Sequence, residues 1–140
     1  MSLLRKLYSR QRGTAVVIQG GRALLVRDRG KKSFSLPGGG IKKGESATRA
    51  VARELYEELQ LKALHIQRLK ECDYKGSLNR HHVCMVTEIS GNPHLQEDEV
   101  DEFIWWDTQE PVPVYAHVKY ILTRLPSEYR CLVTGIEQLV

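Results

Sequence analysis

Cysteine is scarce in this chain and poorly placed for cross-linking. The three present, Cys72, Cys84 and Cys131, are odd in number, far apart and without metal-ligand spacing, which argues against a disulfide framework and against a zinc site. They read as reduced, mostly buried thiols. No apolar run approaches the roughly 20 residues that a membrane-spanning helix needs. Leu3-Leu4 meets Arg5-Lys6 at once, so nothing reads as a signal peptide. A cytoplasmic protein without a membrane partner is expected. Low-complexity tracts and internal repeats are also lacking. What remains is 140 residues, 41% hydrophobic and 27% charged, an ordinary composition at a length that suits one domain with its own core. The chain is therefore expected to form a single domain over 1–140.

Charge of one sign is not in large excess either. The net charge is +4, and the basic residues gather as Arg5, Lys6, Arg10 and Arg12, then Arg27, Arg29, Lys31 and Lys32, then Lys42 and Lys43. A mild positive field suits a small polyanionic substrate and equally suits weak contact with nucleic acid, so it chooses neither.

The clearest local feature is a helix. Ser46 to Leu59 contains no proline or glycine and is rich in Ala, Leu, Arg and Glu. Gly44 breaks the preceding loop, Ser46 can cap the first turn, and Glu45 places negative charge at the positive end of the helix dipole. At about 100° per residue, Ala47, Ala50, Val51, Leu55 and Leu59 form one stripe that should face a core. Glu54 and Glu58 fall inside that stripe, and Glu57 lies at its edge. Three carboxylates crowded beside apolar residues break the usual rule for a helix face. A hard divalent cation would relieve their repulsion, and oxygen ligands of this kind suit Mg²⁺ or Mn²⁺. Just upstream, Phe34-Ser35-Leu36-Pro37 reads as a strand end. Gly38, Gly39 and Gly40 follow it, a run that lets backbone approach the helix, a metal or a phosphate closely.

Read together, Gly39, five residues, Glu45, seven residues, Arg53-Glu54-Leu55, one residue, Glu57-Glu58, one residue and Gln60-Leu61 resemble the Nudix box over 39–61. Around it, 13–107 is similar to the Nudix hydrolase family of MutT-like enzymes acting on nucleoside diphosphate-linked compounds. The resemblance implies an α+β fold, an α/β/α sandwich around a mixed β-sheet. It implies a pyrophosphohydrolase that directs water at a phosphorus of the diphosphate linkage of a nucleoside triphosphate or nucleotide sugar, with Mg²⁺ or Mn²⁺ as cofactor. Glu54, Glu57 and Glu58 would bind metal, Arg53 would orient a glutamate, and Glu54 or Glu57 could serve in proton transfer. For the general base, the resemblance also points past the box to the loop Glu97-Asp98-Glu99-Val100-Asp101-Glu102, with Glu99 and Glu102 preferred. Gly38, Gly39, Gly40 and Arg27 are the expected phosphate contacts. Of the pair Trp105-Trp106 one ring should pack inside and the other face out, with Trp106 taken as the ring that stacks on a nucleobase. The partner expected is a small nucleotide rather than nucleic acid, and the protein would act as a monomer or homodimer. Two other readings are a nucleotide-binding regulatory module without catalysis, disfavoured because no box glutamate is missing, and a hydrolase of RNA 5′ ends. His81-His82, opening a strand near the surface, could bind phosphate or shuttle a proton, but histidines so placed mostly do neither.

One box position departs from the pattern. Gln60 stands where the family has glycine, so either Gln adopts a left-handed conformation at a cost on the order of 1 kcal/mol, or the helix runs further. Elsewhere, Thr14 to Gln19 and Arg22 to Arg27 read as a hairpin about Gly20-Gly21. Ile66 to Tyr74, His82 to Ile89 and Phe103 to Trp106 read as strands, with Val114 to Leu125 as a second helix stopped by Pro126. The tail 126–140 shows no period and should cap the core or meet a partner.

Overall fold

In a computed structural model, residues 10–96 and 99–139 are described. The first hairpin joins β1 (Arg10–Gln19) to β2 (Arg22–Asp28), but the two strands pair only near the turn, at Ile18 with Ala23 and Gln19 with Arg22. They then part. From Arg10 to Val17, β1 runs parallel to β6 (Asn79–Ser90), and from Arg12 to Thr14 it also pairs antiparallel with the short β3 (Gly38–Gly40), whereas β2 pairs with β7 (Val100–Trp106). With β4 (Lys62–Arg68) and β5 (Tyr74–Lys75) on β6, the mixed sheet has the order β4-β6-β1-β2-β7, with β3 and β5 off that path.

Strict alternation assigns each strand residue to one face of the sheet. Ala15, Val17, Leu24, Val26, Cys84 and Val86 pack against Val51, Leu55 and Leu59 of α1 (Ala47–Leu59). Their neighbours Val16, Ala23, Leu25, Val83 and Met85 pack on the opposite face against Val118, Ile121 and Leu122 of α2 (Ala116–Thr123). The result is the expected α/β/α sandwich. Leu55 is fully buried in the first of these layers, and truncating such a leucine to alanine costs about 2–5 kcal/mol.

One local expectation needs revising, and two others take definite form. The stretch expected as one strand from Ile66 to Tyr74 is interrupted: β4 ends at Arg68, a 3₁₀ turn over Lys70–Cys72 follows, and β5 begins at Tyr74. The break is held by Asp73, which accepts from both Arg68 nitrogens at 2.7 and 2.8 Å and from the Val83 backbone N–H at 2.9 Å, while Leu69 and Cys72 turn into the core. The glycine run is itself a strand, β3. The tail caps the core, because Val133 and Ile136 join the α2 layer and the short helix α3 (Ser127–Arg130) precedes them.

Helix α1 starts and stops as its residues suggest. Ser46 Oγ accepts the Arg49 N–H at 3.2 Å, and the helix ends at Gln60, whose φ of 56° is left-handed and whose N–H reaches back to the Leu55 and Tyr56 carbonyls. Gln60 thus takes the conformation that glycine adopts without a Cβ penalty. Gln60→Gly should raise stability by up to about 1 kcal/mol, the relief of the left-handed strain less the added freedom of the unfolded chain. Urea titration checks this, and a lowered midpoint would show that the Gln60 side chain holds the helix exit.

Candidate active site

Arg53 organises the box. Its guanidinium donates to Glu45 through Nε at 2.8 Å and Nη2 at 2.9 Å, to Glu54 through Nη1 at 2.8 Å, and to the Gly40 carbonyl through Nη2 at 2.9 Å. Nη1 also reaches Glu57 at 3.3 Å. One side chain on α1 therefore ties together β3, the loop before the helix and a neighbouring carboxylate. Glu45 accepts the Lys42 N–H as well, and these bonds, the Arg53 ones foremost, pull its carboxyl down to about 2.

Glycine at β3 lets the acidic helix face come close. A Cβ on Gly39 would fall on the Glu54 carboxylate, and one on Gly38, whose φ is 145°, would collide with the Gly13 carbonyl. The Gly38 N–H donates to Glu58 Oε1 at 3.2 Å. Glu58 is buried, and burial first, then Glu54, raise its carboxyl to about 8 against the opposing pull of Arg12 and Gly38.

Across from the helix, Glu99 immediately precedes β7. Carboxylate oxygens of Glu54, Glu58 and Glu99 lie within 4.8 Å of one another. They edge a cavity of about 510 Å³ that is also lined by Gly38, Gly39, Asp28, Arg10, Arg12 and Arg29. Three converging carboxylates, one of them buried and with its carboxyl raised by that burial, fit a hard divalent ion.

The sequence-derived site residues divide accordingly. Glu54, Glu58, Glu99, Gly38 and Gly39 meet in one cavity, and Gly40 supports it by accepting from Arg53. Glu57, expected as a metal ligand, is not among the cavity-lining residues; its side chain is half exposed, with Arg53 as its partner. Glu102 and Arg27 do not reach the cavity. They are register partners on β7 and β2 and pair with each other at 2.9 Å, Arg27 also holding Asp101 at 3.0 Å. Glu102 is three residues beyond Glu99 along an extended strand, which carries it away. Trp106 is buried rather than turned outward: it sits in the α2 layer, 2% exposed, with its indole N–H on the Glu110 carbonyl. Alternation puts Trp105 on the other face, packed only in part. Glu97, Asp98, Arg5 and Lys6 lie outside the described residues.

Sequence reasoning did not single out Arg12. This guanidinium is partly buried, donates from Nη2 to the Leu36 carbonyl at 2.9 Å, and keeps its Nε out of solvent with no hydrogen-bond partner. A signal existed: Arg10, Arg12 and Thr14 alternate on one face of β1. Also missed was a second lobe of about 370 Å³, which shares Arg10, Arg12 and Asp28 with the first and is lined further on by His81, His117, Tyr115 and Asn79. His81 accepts or donates at Thr14 Oγ1, 2.8 Å away, and its ring stacks on His117 with centroids 4.2 Å apart. Burial, with Arg12 nearby, holds both rings neutral, His81 near 4 and His117 near 2. His82 instead joins Gln11 and Arg68 at the surface.

A family model described as the NUDIX domain matches residues 9–125. An RNA pyrophosphohydrolase of Shewanella piezotolerans is 40% identical over 55 residues, 39% of this chain and 32% of that protein. Another, from Psychromonas ingrahamii, is 28% identical over 116 residues, 83% of this chain and 54% of that protein. The chain thus spans about a third to a half of the length of these curated relatives. Among solved structures, a MutT Nudix hydrolase from Burkholderia pseudomallei superposes with a TM-score of 0.74 at 23% identity, over 85% of this chain and 99% of the other. The mutator MutT protein from Bacillus halodurans gives 0.64 at 21%, over 80% and 78%. At these identities the likeness establishes the fold.

Glu58 makes the site testable without a substrate. Its folded-state carboxyl is raised from the ordinary 4.5 to about 8, so the stability it lends is fully present below 4.5 and is lost as pH climbs through 8. In chelator, the melting temperature should therefore fall across that window, and Glu58→Gln should flatten the fall. Added Mg²⁺ or Mn²⁺ should restore stability most at the alkaline end. A wild-type profile indistinguishable from that of Glu58→Gln would mean that the buried carboxyl is not coupled to folding.

Proposed function

The chain belongs to the Nudix family, and on that footing we propose that it is a metal-dependent pyrophosphohydrolase. The reaction is cleavage of the diphosphate linkage of a nucleoside diphosphate derivative, a nucleoside triphosphate or nucleotide sugar, by water attack on phosphorus. The observation that carries this reading is the convergence of Glu54, Glu58 and Glu99 beside an arginine-lined cavity.

Glu54 and Glu58 would hold Mg²⁺ or Mn²⁺, with Glu57 joining them by rotating off Arg53. When bound, such an ion neutralises phosphate oxygens and acidifies water. The protein's own part is positional. Arg53 fixes Glu54 in place, and the Gly38 N–H orients Glu58. Arg10, Arg12 and Arg29 receive the phosphate chain. Glu99, exposed at the cavity edge, is the general base that takes the proton of the attacking water.

Arg53, Glu45, Glu54, Glu57 and Glu58 are all present, which supports catalysis over a regulatory module that binds without cleaving. Hydrolysis of RNA 5′ ends is the second reading, supported by curated relatives named RNA pyrophosphohydrolase. Among the described residues no helix is long and apolar enough to cross a membrane. A cytoplasmic single-domain enzyme working as a monomer or homodimer fits the proposal.

The test is product release from nucleoside triphosphates, nucleotide sugars, ADP-ribose and a 5′-triphosphorylated short RNA, with and without Mg²⁺ or Mn²⁺. Metal-dependent turnover should fall by about 10²–10⁴ in Glu99→Gln if that group is the base, and further in Glu58→Gln. Glu57→Gln should lose less than Glu58→Gln. Full activity in Glu58→Gln would sink the assignment, and preference for the RNA over every small nucleotide would transfer it to the second reading.

A further inference from the structure

Arg27 stays out of the cavity, yet it grips the piece of backbone that leads Glu99 into it. The ladder between β2 and β7 is regular from the Ala23–Trp106 pair to the Arg27–Glu102 pair and then skips a residue: Asp28 stands opposite Val100, and Asp101 is left over as a β-bulge. Continued without a break, the ladder would set Asp28 against Asp101, like charges face to face. It would also turn Asp101 toward α1, on the side of Val26 and Phe103, and Val100 away from it. The bulge removes both faults. Val100 takes its place in the α1 layer, fully buried, and Asp101 keeps a partly exposed side chain.

Taking up one residue also sets where β7 begins. In the unbroken ladder Glu99 would stand opposite Gly30, one residue or about 3.3 Å farther along, past the Asp28 and Arg29 that line the cavity. Instead the Arg29 N–H donates to the Glu99 carbonyl at 2.9 Å, and the Glu99 carboxylate comes within 4.8 Å of those of Glu54 and Glu58.

Arg27 fastens this break from outside. Its Nε donates to Asp101 Oδ1 at 3.0 Å, and its Nη2 pairs with Glu102 Oε2 at 2.9 Å. Successive side chains of a regular strand point to opposite faces, so one guanidinium can grip both only where a bulge breaks the alternation. The guanidinium also lies over the Phe34 ring, 5.4 Å from its centroid, which limits its swing.

We propose that Arg27 is a positioning residue: by gripping Asp101 and Glu102 it fastens the bulge, and the bulge sets Glu99 against the carboxylates of α1. The inference rests on the hydrolase reading for the use made of Glu99, whereas the grip itself is a property of the backbone. Ion pairs as exposed as these add little to global stability, so the effect belongs at Glu99 and not in the melting temperature.

Two readouts on the full chain test the grip and its use separately. The variants are Arg27→Met, which keeps an apolar stem over Phe34, and Asp101→Ala, which takes away one arm of the grip. Amide hydrogen exchange followed by NMR should quicken about tenfold or more at the Arg29 N–H in Arg27→Met, and less in Asp101→Ala. It should stay unchanged at Val26, whose N–H donates to the Ser35 carbonyl rather than to β7. With Mg²⁺ and the most active of the nucleotide substrates, Arg27→Met should lower kcat about tenfold and leave KM nearly unchanged, because Arg27 touches nothing in the cavity and a displaced reacting group slows the chemical step. In a Glu99→Gln background the same substitution should bring no further loss. Unchanged Arg29 exchange in both variants would overturn the grip. An equal fractional loss of kcat with and without Glu99 would overturn the positioning role. Full activity in Glu99→Gln would remove the base assignment, and absence of turnover on every substrate would sink the hydrolase reading; in either case quickened exchange at Arg29 would still support the grip, and unchanged exchange would overturn it.

Discussion

The guanidinium of Arg53 is the interaction on which the site depends. A single planar donor set reaches Glu45, Glu54 and the Gly40 carbonyl, all at 2.8–2.9 Å. It therefore fixes three pieces of chain that no continuous secondary structure connects: β3, the turn before α1 and the acidic face of α1 itself. A lysine could neutralise one of these carboxylates but could not span the fork of acceptors. With Arg53 in place, Glu54 is held against the glycine strand, while Glu58 sits in the interior on the Gly38 N–H.

That geometry stores an electrostatic imbalance. Carboxylate oxygens of Glu54, Glu58 and Glu99 lie within 4.8 Å of one another, and burial first, with Glu54 adding to it, raises the Glu58 carboxyl to about 8. Arg12, the positive charge that opposes this most, has its own basicity lowered by desolvation. Each group alone would be costly in the interior. Under the proposed function, the group would gain by admitting a cation on one side and a phosphate on the other, which would explain local disagreement with ordinary packing rules.

The sheet supplies the space. Because β1 and β2 pair for only two residues before separating, β1 carries Arg10 and Arg12 along one edge of a cleft while β2 ends at Asp28 near the other. Insertion of β3 beside β1 then brings Gly38 and Gly39 under α1. The same divergence opens the second lobe, where β1 contributes Thr14 to the His81–His117 stack and the start of α2 contributes Tyr115.

What could be read from the chain was whatever depends on neighbours within a turn or two. Helical periodicity gave the apolar stripe of α1 and put Glu54 and Glu58 on it, Ser46 marked the helix start, and Gly20-Gly21 marked the hairpin. Spacing along the box revealed Arg53 and its acidic company. Residues chosen by type alone fared differently. Trp106 has the ring to stack on a base, but two-residue alternation on β7 sends it into the core. Glu102 and Arg27 have the right charges, yet their register on adjacent strands satisfies each with the other. Glu99, only three positions from Glu102, does reach the carboxylates. The sequence by itself determined the acidic helix, its caps and its chemistry, because those rest on local spacing and side-chain type. Tertiary structure alone decided which distant groups complete the site, Glu99, Arg12 and the histidine–tyrosine lobe, because strand register and the parting of β1 from β2 are set by pairings across the whole chain.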